Sequence, residues 1–358
     1  MVDQQQETVD RQKEFSGAGP VRSGFELDNK ALTKYMEENV EGFSGTLEIK
    51  QFKGGQSNPT YELSAGGKKY ALRRKPSGKL LKSAHAVDRE YKVISALNQT
   101  DVPVAKTYAL CTDESVIGSW FYIMDCVEGR IFWTLDNTPI EQRPEIFDAM
   151  NDAMAKLHSV DYKAVGLADY GKQGSYFSRQ ISRWSKQYQA SVDEPCIVMD
   201  ELIAYLTENI PENDETSIVH GDYRIDNMIF HPTEPRILAI LDWELSTLGH
   251  PLSDFSYSCM AWYLPGGDGG NGVLGLDFET QRIPTEQDYI DAYCRRTGRT
   301  SIDNWHYYMA FNFFRLSGIT FGIAGRVRDG TASSPQAIAT GAMAEPLAEQ
   351  GMAQVRKI

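Results

Sequence analysis

The sequence lacks the features that mark membrane, secreted and nucleic-acid-binding proteins. No apolar run approaches the ~20 residues that a membrane-spanning helix needs. The first twenty residues, MVDQQQETVDRQKEFSGAGP, are polar and have no apolar centre, so no secretory signal is expected. Five cysteines (Cys111, Cys126, Cys196, Cys259 and Cys294) are scattered without a CxxC pair. Such spacing argues against a disulfide framework or a zinc site and for buried thiols in a reducing compartment. Basic residues are outnumbered, 36 Lys and Arg against 49 Asp and Glu, for a formal net charge of −13. Nucleic acid and anionic membranes both require a basic footprint, so neither is an expected partner. No internal repeat is visible. These absences leave a cytoplasmic enzyme with a small-molecule substrate as the expectation.

What is present is ordinary for a folded protein. The chain has 358 residues, 41% hydrophobic and 24% charged, enough for two lobes with real cores. Residues 1–24 read as a flexible N-terminal arm. LDNKALTKYMEENV then has helical spacing, with Asp28 as N-cap. TLEIKQF, TYELSA and KKYALRRK alternate and are separated by Gly- and Asn-bearing turns, the pattern of an antiparallel meander. AHAVDREYKVISALNQ returns to helical spacing, with Val87, Tyr91, Ile94 and Leu97 on one face. VAKTYALC and SWFYIMDCV read as two more strands.

These elements make residues 25–126 a small antiparallel β lobe with one helix, AHAVDREYKVISALNQ, set among its strands. Residues 127–330 form a larger, mainly helical lobe, and 331–358 a C-terminal helical tail. The expected fold class is therefore α+β with two lobes. NWHYYMAFNFFRLSGITFGIAGR has the look of a central core helix. One stretch breaks the helical lobe: SIVHGDYRIDNMIF, the turn HPTEPR, and ILAILDWE read as strand, loop, strand, turn, strand.

That insertion carries the chemistry. Asn227 begins one strand and Asp242 ends the next, so a hairpin would bring the two together. An Asp and an Asn side by side offer hard oxygen ligands of the kind Mg2+ prefers, with substrate phosphates and water completing the shell. Asp222, in the loop HGDYRIDN, would face the same cavity and could accept a proton from an attacking hydroxyl. In-line positioning, charge neutralisation and a carboxylate that orients the nucleophile are the requirements of phosphoryl transfer.

HGDYRIDN followed by ILDWE resembles the aminoglycoside and choline phosphotransferase group, whose signature is HGDxxxxN plus a later Asp. The protein-kinase loop HRDxxxxN has the same Asp-to-Asn spacing. Four fixed positions recur by chance in roughly one chain of this length in several hundred. A longer resemblance is narrower. FKGGQSNPTYEL, ALRRKPSGKLLKSAHAVDREYKVISAL and HGDYRIDNMIFHPTEPRILAILDWELSTLGHPLSD look like the kinase-like domain fused in some proteins to an acyl-CoA dehydrogenase. The likeness spans roughly residues 24–330 and leaves no room in this chain for a dehydrogenase domain.

The resemblance implies a protein-kinase-like fold using ATP and Mg2+, with Asp222 as catalytic base and Asn227 and Asp242 as metal ligands. His220 would pack the loop, Asp254 would brace it, and Glu244 would lie near a second metal or the substrate. On the nucleotide side, KGGQSN (Gly54, Gly55, Ser57 and Asn58) would lie over the triphosphate. Ala71 and Met124 would border adenine, and the backbone of Asp125 and Val127 would hydrogen-bond it. Arg73 stands where protein kinases carry the phosphate-binding Lys, with Glu90 as its ion partner. The resemblance implies a hydroxylated acyl acceptor such as a hydroxyacyl-CoA. The aromatics of the helical lobe and its arginines (Arg183, Arg315, Arg326 and Arg328) would suit such an anionic compound. The alternatives are an aminoglycoside, choline or homoserine-type kinase, and a nucleotide-binding pseudokinase, which only the replacement of Lys by Arg73 favours.

Overall fold

A computed structural model describes residues 16–54, 58–76, 86–266, 272–332 and 336–358. The described chain enters through a two-residue strand, β1 (Ala18–Gly19), followed by helix α1 (Asn29–Asn39). Asp28 caps that helix as its sequence promised, Oδ1 accepting from the Ala31 amide at 2.9 Å. Strands β2 (Glu48–Phe52), β3 (Thr60–Ala65) and β4 (Lys68–Arg74) form the expected meander. Helix α2 (Val87–Leu97) follows, then β5 (Thr107–Cys111) and β6 (Phe121–Asp125). All six strands share one antiparallel sheet, ordered β1-β2-β3-β4-β6-β5.

One expectation needs correction here. The stretch read as a flexible arm contributes β1, whose Ala18 and Gly19 pair with Phe52 and Gln51. Ser16 accepts from the Trp133 indole at 3.0 Å, and the Arg22 amide donates to Gln51. Residues 1–15 lie outside the described chain.

Alternation assigns the two faces of the sheet. Tyr61, Leu63, Tyr70 and Leu72 join Leu32 and Met36 of α1 in an outer core. Ala71 and Met124, paired across β4 and β6, face the other way and belong to a second core that runs into the helical lobe. Arg73 is two residues along the same face as Ala71, so it points toward the helical lobe.

Arg130 makes the passage between lobes. Its amide and carbonyl exchange 2.8 Å hydrogen bonds with Phe230. A Cβ on the preceding Gly129 would stand 2.2 Å from the Phe230 carbonyl oxygen, so only glycine fits this crossing.

The helical lobe contains α3 (Arg143–Ser159), α4 (Tyr176–Gln189) and α5 (Ile197–Glu208). The embedded strands come next: β7 (Ser217–Val219), β8 (Met228–Phe230), β9 (Ile237–Ile240) and β10 (Thr247–Gly249). After them are α6 (Pro251–Cys259), α7 (Glu286–Thr297), α8 (Trp305–Arg328), α9 (Ala337–Ala342) and α10 (Ala344–Val355). β8 and β9 form the anticipated hairpin, while β7 pairs with β10 instead. The long apolar stretch is indeed the core helix: Phe311, Phe313 and Phe314 on α8 have no exposed surface. Truncating any one of them to Ala should cost about 3–5 kcal/mol. The tail helices pack against α8, with Gly341 against Ala324 and the Ser317 hydroxyl donating to the Ala344 carbonyl.

Candidate active site

The hairpin places Asn227 and Asp242 at one end of the β8–β9 ladder. Met228 pairs with Ile240, and the next rung is a 2.8 Å bond from the Leu241 amide to the Asn227 carbonyl. Asp242 then adopts a left-handed backbone, φ 62°, uncommon for a residue with a Cβ. That turn lets the chain leave the strand while its carboxylate faces the sheet.

The loop bearing Asp222 is fixed from three sides. His220 has no exposed surface; its Nε2 donates to the Leu241 carbonyl at 2.8 Å and its Nδ1 accepts from the Asp222 amide at 3.2 Å. It is a structural staple between the loop and the Asp242 turn. Asp254, in the first turn of α6, takes the His220 amide on Oδ2 at 2.6 Å and the Gly221 amide on Oδ1 at 2.8 Å. Burial alone would raise the Asp254 carboxyl, but the His158 and His220 hydrogen bonds outweigh it and hold the group below the ordinary range. Gly221 has φ +86°, and a Cβ there would meet the Leu245 carbonyl oxygen at 2.9 Å.

Within this frame the Asp222 side chain meets Asn227 directly. The Asn227 carboxamide nitrogen donates to the Asp222 carbonyl at 2.9 Å and to Oδ2 at 3.1 Å. Its donors are thus turned toward Asp222, and Oδ1 remains as the acceptor available to a cation. Asp222 Oδ1 accepts from the Tyr257 hydroxyl at 2.7 Å, and Arg224 Nε lies 3.2 Å from the same oxygen. One carboxamide oxygen and the Asp242 carboxylate make a donor set suited to a hard cation that takes its remaining ligands from phosphate and water. No group of three His, Cys, Asp or Glu side chains that could hold a metal occurs among the described residues.

Arg73 reaches from the sheet to the hairpin. Its Nε is 2.8 Å from Glu90 Oε2, and its Nη2 is 2.7 Å from Asp242 Oδ1 and 3.8 Å from Glu244 Oε2. Burial opposes the guanidinium charge, but these carboxylates outweigh it and keep Arg73 cationic. Burial pushes Glu90 up to about 7, with Arg73 pulling down and Asp242 and Glu244 adding to the push. Glu90 also accepts from Asn58 at 2.9 Å and from the Tyr122 hydroxyl at 3.1 Å. The neighbouring Arg89 donates to the Tyr170 and Ser246 carbonyls, docking α2 on the helical lobe.

The remaining residues expected to border a nucleotide are less concentrated. Ala71 and Met124 sit side by side on the inner face of the sheet. The Asp125 amide donates to the Lys106 carbonyl at 2.8 Å, and its carboxylate takes the Tyr108 hydroxyl. Val127 lies half-buried just past β6 and Gly54 just past β2, while Gly55 and Ser57 fall outside the described residues. Asn58 is fully buried and reaches Glu90, a bracing contact that its place in a glycine turn did not reveal.

Two of the arginines expected to face an acceptor have partners within the chain, one buried and one at the surface. Arg315 is buried, donates to the Gly221 carbonyl and lies over the Tyr257 ring, whereas Arg328 pairs with Asp193 and the Ser191 carbonyl. Tyr257 and Arg224 are the residues that sequence reasoning missed. The signal was present: Tyr257 is three residues beyond Asp254, hence on the same helical face.

Two lobes, a loop carboxylate beside an Asn–Asp pair, and a cation bridged to an acid of the adjoining helix define a kinase-like phosphotransferase fold. Residues 48–302 match the phosphotransferase enzyme family, and the chain belongs to it. It is similar to mouse acyl-CoA dehydrogenase family member 10, 42% identical over 334 residues, covering 92% of this chain and 31% of that protein. Human acyl-CoA dehydrogenase family member 11 is 40% identical over 338 residues, covering 91% of this chain and 43% of that one. The chain thus spans less than half the length of these relatives. A Ralstonia eutropha crystal structure with the provisional description of an aminoglycoside phosphotransferase is 51% identical. It superposes with a TM-score of 0.87, covering 93% of this chain and 99% of that one. Aminoglycoside phosphotransferase APH(4)-Ia, solved with ADP and hygromycin B, shares the fold at 14% identity. Its TM-score is 0.60, with 91% of this chain and 98% of that one covered. The chain is therefore a phosphotransferase by family. No helix among its described residues is long and apolar enough to cross a membrane.

Proposed function

We propose that the chain transfers the γ-phosphoryl group of ATP, with Mg2+, to the hydroxyl of a small acyl compound, a hydroxyacyl-CoA or free hydroxy acid. The observation that carries the reading is the meeting of Asp222, Asn227 and Asp242 at one end of the β8–β9 hairpin, opposite Arg73 and Glu90. Asp222 orients the acceptor hydroxyl and takes its proton. Asn227 and Asp242 would hold Mg2+, which when bound neutralises charge on the phosphate oxygens. Arg73, kept in place by Glu90, supplies a fixed positive charge on the nucleotide side. It can grip phosphate through two parallel N–H groups of one planar fork, where a Lys offers a point charge. Ala71, Met124 and the backbone around Asp125 and Val127 border the adenine. ATP use is supported by the same fold in a protein crystallised with ADP.

The acyl class of acceptor is supported by the relatives, which carry acyl-CoA dehydrogenase names and share over nine-tenths of this chain. A second reading, an aminoglycoside-type acceptor, draws on the description given to the 51% identical Ralstonia protein. One screen separates them: ATP consumption by the purified protein over hydroxyacyl-CoAs, hydroxy acids, amino alcohols and aminoglycosides. Turnover confined to the hydroxyacyl compounds is the expected result. Turnover with aminoglycosides or choline alone would replace the acceptor assignment. Normal Mg-ATP binding without turnover of any compound would make the chain a nucleotide-binding module.

A further inference from the structure

We propose that Tyr257 is a positioning residue for phosphoryl transfer: its hydroxyl fixes Oδ1 of Asp222 and so reserves Oδ2 for the acceptor's proton. The proposal rests on the reading of Asp222 as proton acceptor. The geometry begins with α6. Asp254 grips the amides of His220 and Gly221, which fixes the helix against the catalytic loop. One turn further, on the same face, the Tyr257 hydroxyl donates to Asp222 Oδ1 at 2.7 Å.

Tyr257 is itself held by a side chain of α8. The Arg315 guanidinium of α8 lies 5.1 Å from its ring centroid, and the same side chain donates to the Gly221 carbonyl. The phenol is thus clamped between α8 and the loop it serves. Burial, reinforced by the Asp222 charge, keeps it protonated and therefore a donor.

The two carboxylate oxygens are unequal as a result. Each has two acceptor sites. Oδ1 takes the phenol and has Arg224 Nε at 3.2 Å, with Arg224 also paired to Asp226 at 3.1 Å. Among the described residues, Oδ2 takes only the Asn227 carboxamide. One site on Oδ2 is left, and it is the site for the acceptor hydroxyl. In the transfer, the acceptor oxygen bonds to the γ-phosphorus and the bond from phosphorus to the bridging oxygen breaks. The electron pair leaves with ADP and the proton passes to Oδ2. Without the phenol, the carboxylate could turn part-way about its Cβ–Cγ bond and tilt that site away from the acceptor oxygen.

The test compares native protein with Tyr257→Phe, Asp222→Asn and the double variant. Cleavage of γ-labelled Mg-ATP is followed under single turnover, with enzyme in excess and water in the acceptor's place; Kd for Mg-ATP is measured separately. Tyr257→Phe should slow cleavage about 10-fold while Kd changes less than two-fold, and it should add nothing in the Asp222→Asn background. A rate within two-fold of native, while Asp222→Asn loses at least about 100-fold, would overturn the proposal and leave the role of Asp222 standing. An additive loss in the double variant would also overturn it. A native rate in Asp222→Asn would instead remove the reading beneath it. Should Tyr257→Phe fail to fold, 3-fluorotyrosine placed at 257 alone keeps the ring and alters donor strength. An unchanged rate would then count against the proposal.

Discussion

Arg73 lies between Glu90 and Asp242, 2.8 Å from one carboxylate and 2.7 Å from the other. One guanidinium thereby ties helix α2 to the turn that ends the β8–β9 hairpin. Removing one partner of a buried ion pair strands the other charge, at a typical cost of about 3–5 kcal/mol. Arg73→Met should lower stability by that amount in urea unfolding. Arg73→Lys should fold, but its single ammonium cannot reach both acids, and kcat/KM for ATP should fall at least about 10-fold.

Gly221→Ala tests the loop geometry. A methyl group there combines a positive φ with a 2.9 Å approach to the Leu245 carbonyl. The loop must shift, carrying Asp222 with it. Stability should drop by about 1–3 kcal/mol and turnover by at least about 100-fold. Thermal melts and ATP-consumption rates on one preparation read both.

Asp254→Asn replaces two accepting oxygens by one oxygen and an NH2 group. The His220 and Gly221 amides both need acceptors, so one would face a donor. A loss of about 3–5 kcal/mol, read in urea, is expected from a buried, charge-assisted network.

His250 sets one part of the pH response. It is fully buried, accepts from the Leu252 amide on Nδ1 and donates from Nε2 to the Asn213 carbonyl. Burial lowers it from 6.5 to about 4. The folded state binds its proton less tightly than the unfolded state, so stability is full above about pH 6.5 and falls as pH drops toward 4. Glu90 acts oppositely: its carboxyl is raised to about 7, so its contribution falls as pH rises from the unfolded value of about 4.5 through 7. His250→Asn should flatten the acid limb of a plot of Tm against pH, and Glu90→Gln should flatten the slope between pH 5 and 7.

The sequence disclosed those parts of the fold that repeat a period over several residues. The alternation in TYELSA and KKYALRRK emerged as β3 and β4, and the capped helix after Asp28 as α1. β1 and β10 were not legible: two or three residues such as Ala18–Gly19 or Thr247–Gly249 are too few for a period, and distant partners define them. The hairpin logic joining Asn227 to Asp242 held because strand ends are fixed by pairing. Arg315 was misread because a charge on an apolar helix looks the same in sequence whether it meets a ligand or, as here, the Gly221 carbonyl. Asn58 hid for the same reason, its partner Glu90 being 32 residues away.

The most direct measurement is Mg-ATP turnover by Asp222→Asn beside the native chain, with the affinity of each for Mg-ATP determined separately. A fall in kcat of about 1,000-fold, with nucleotide affinity preserved within about three-fold, is the predicted result. Turnover at the native rate without that carboxylate would contradict the account.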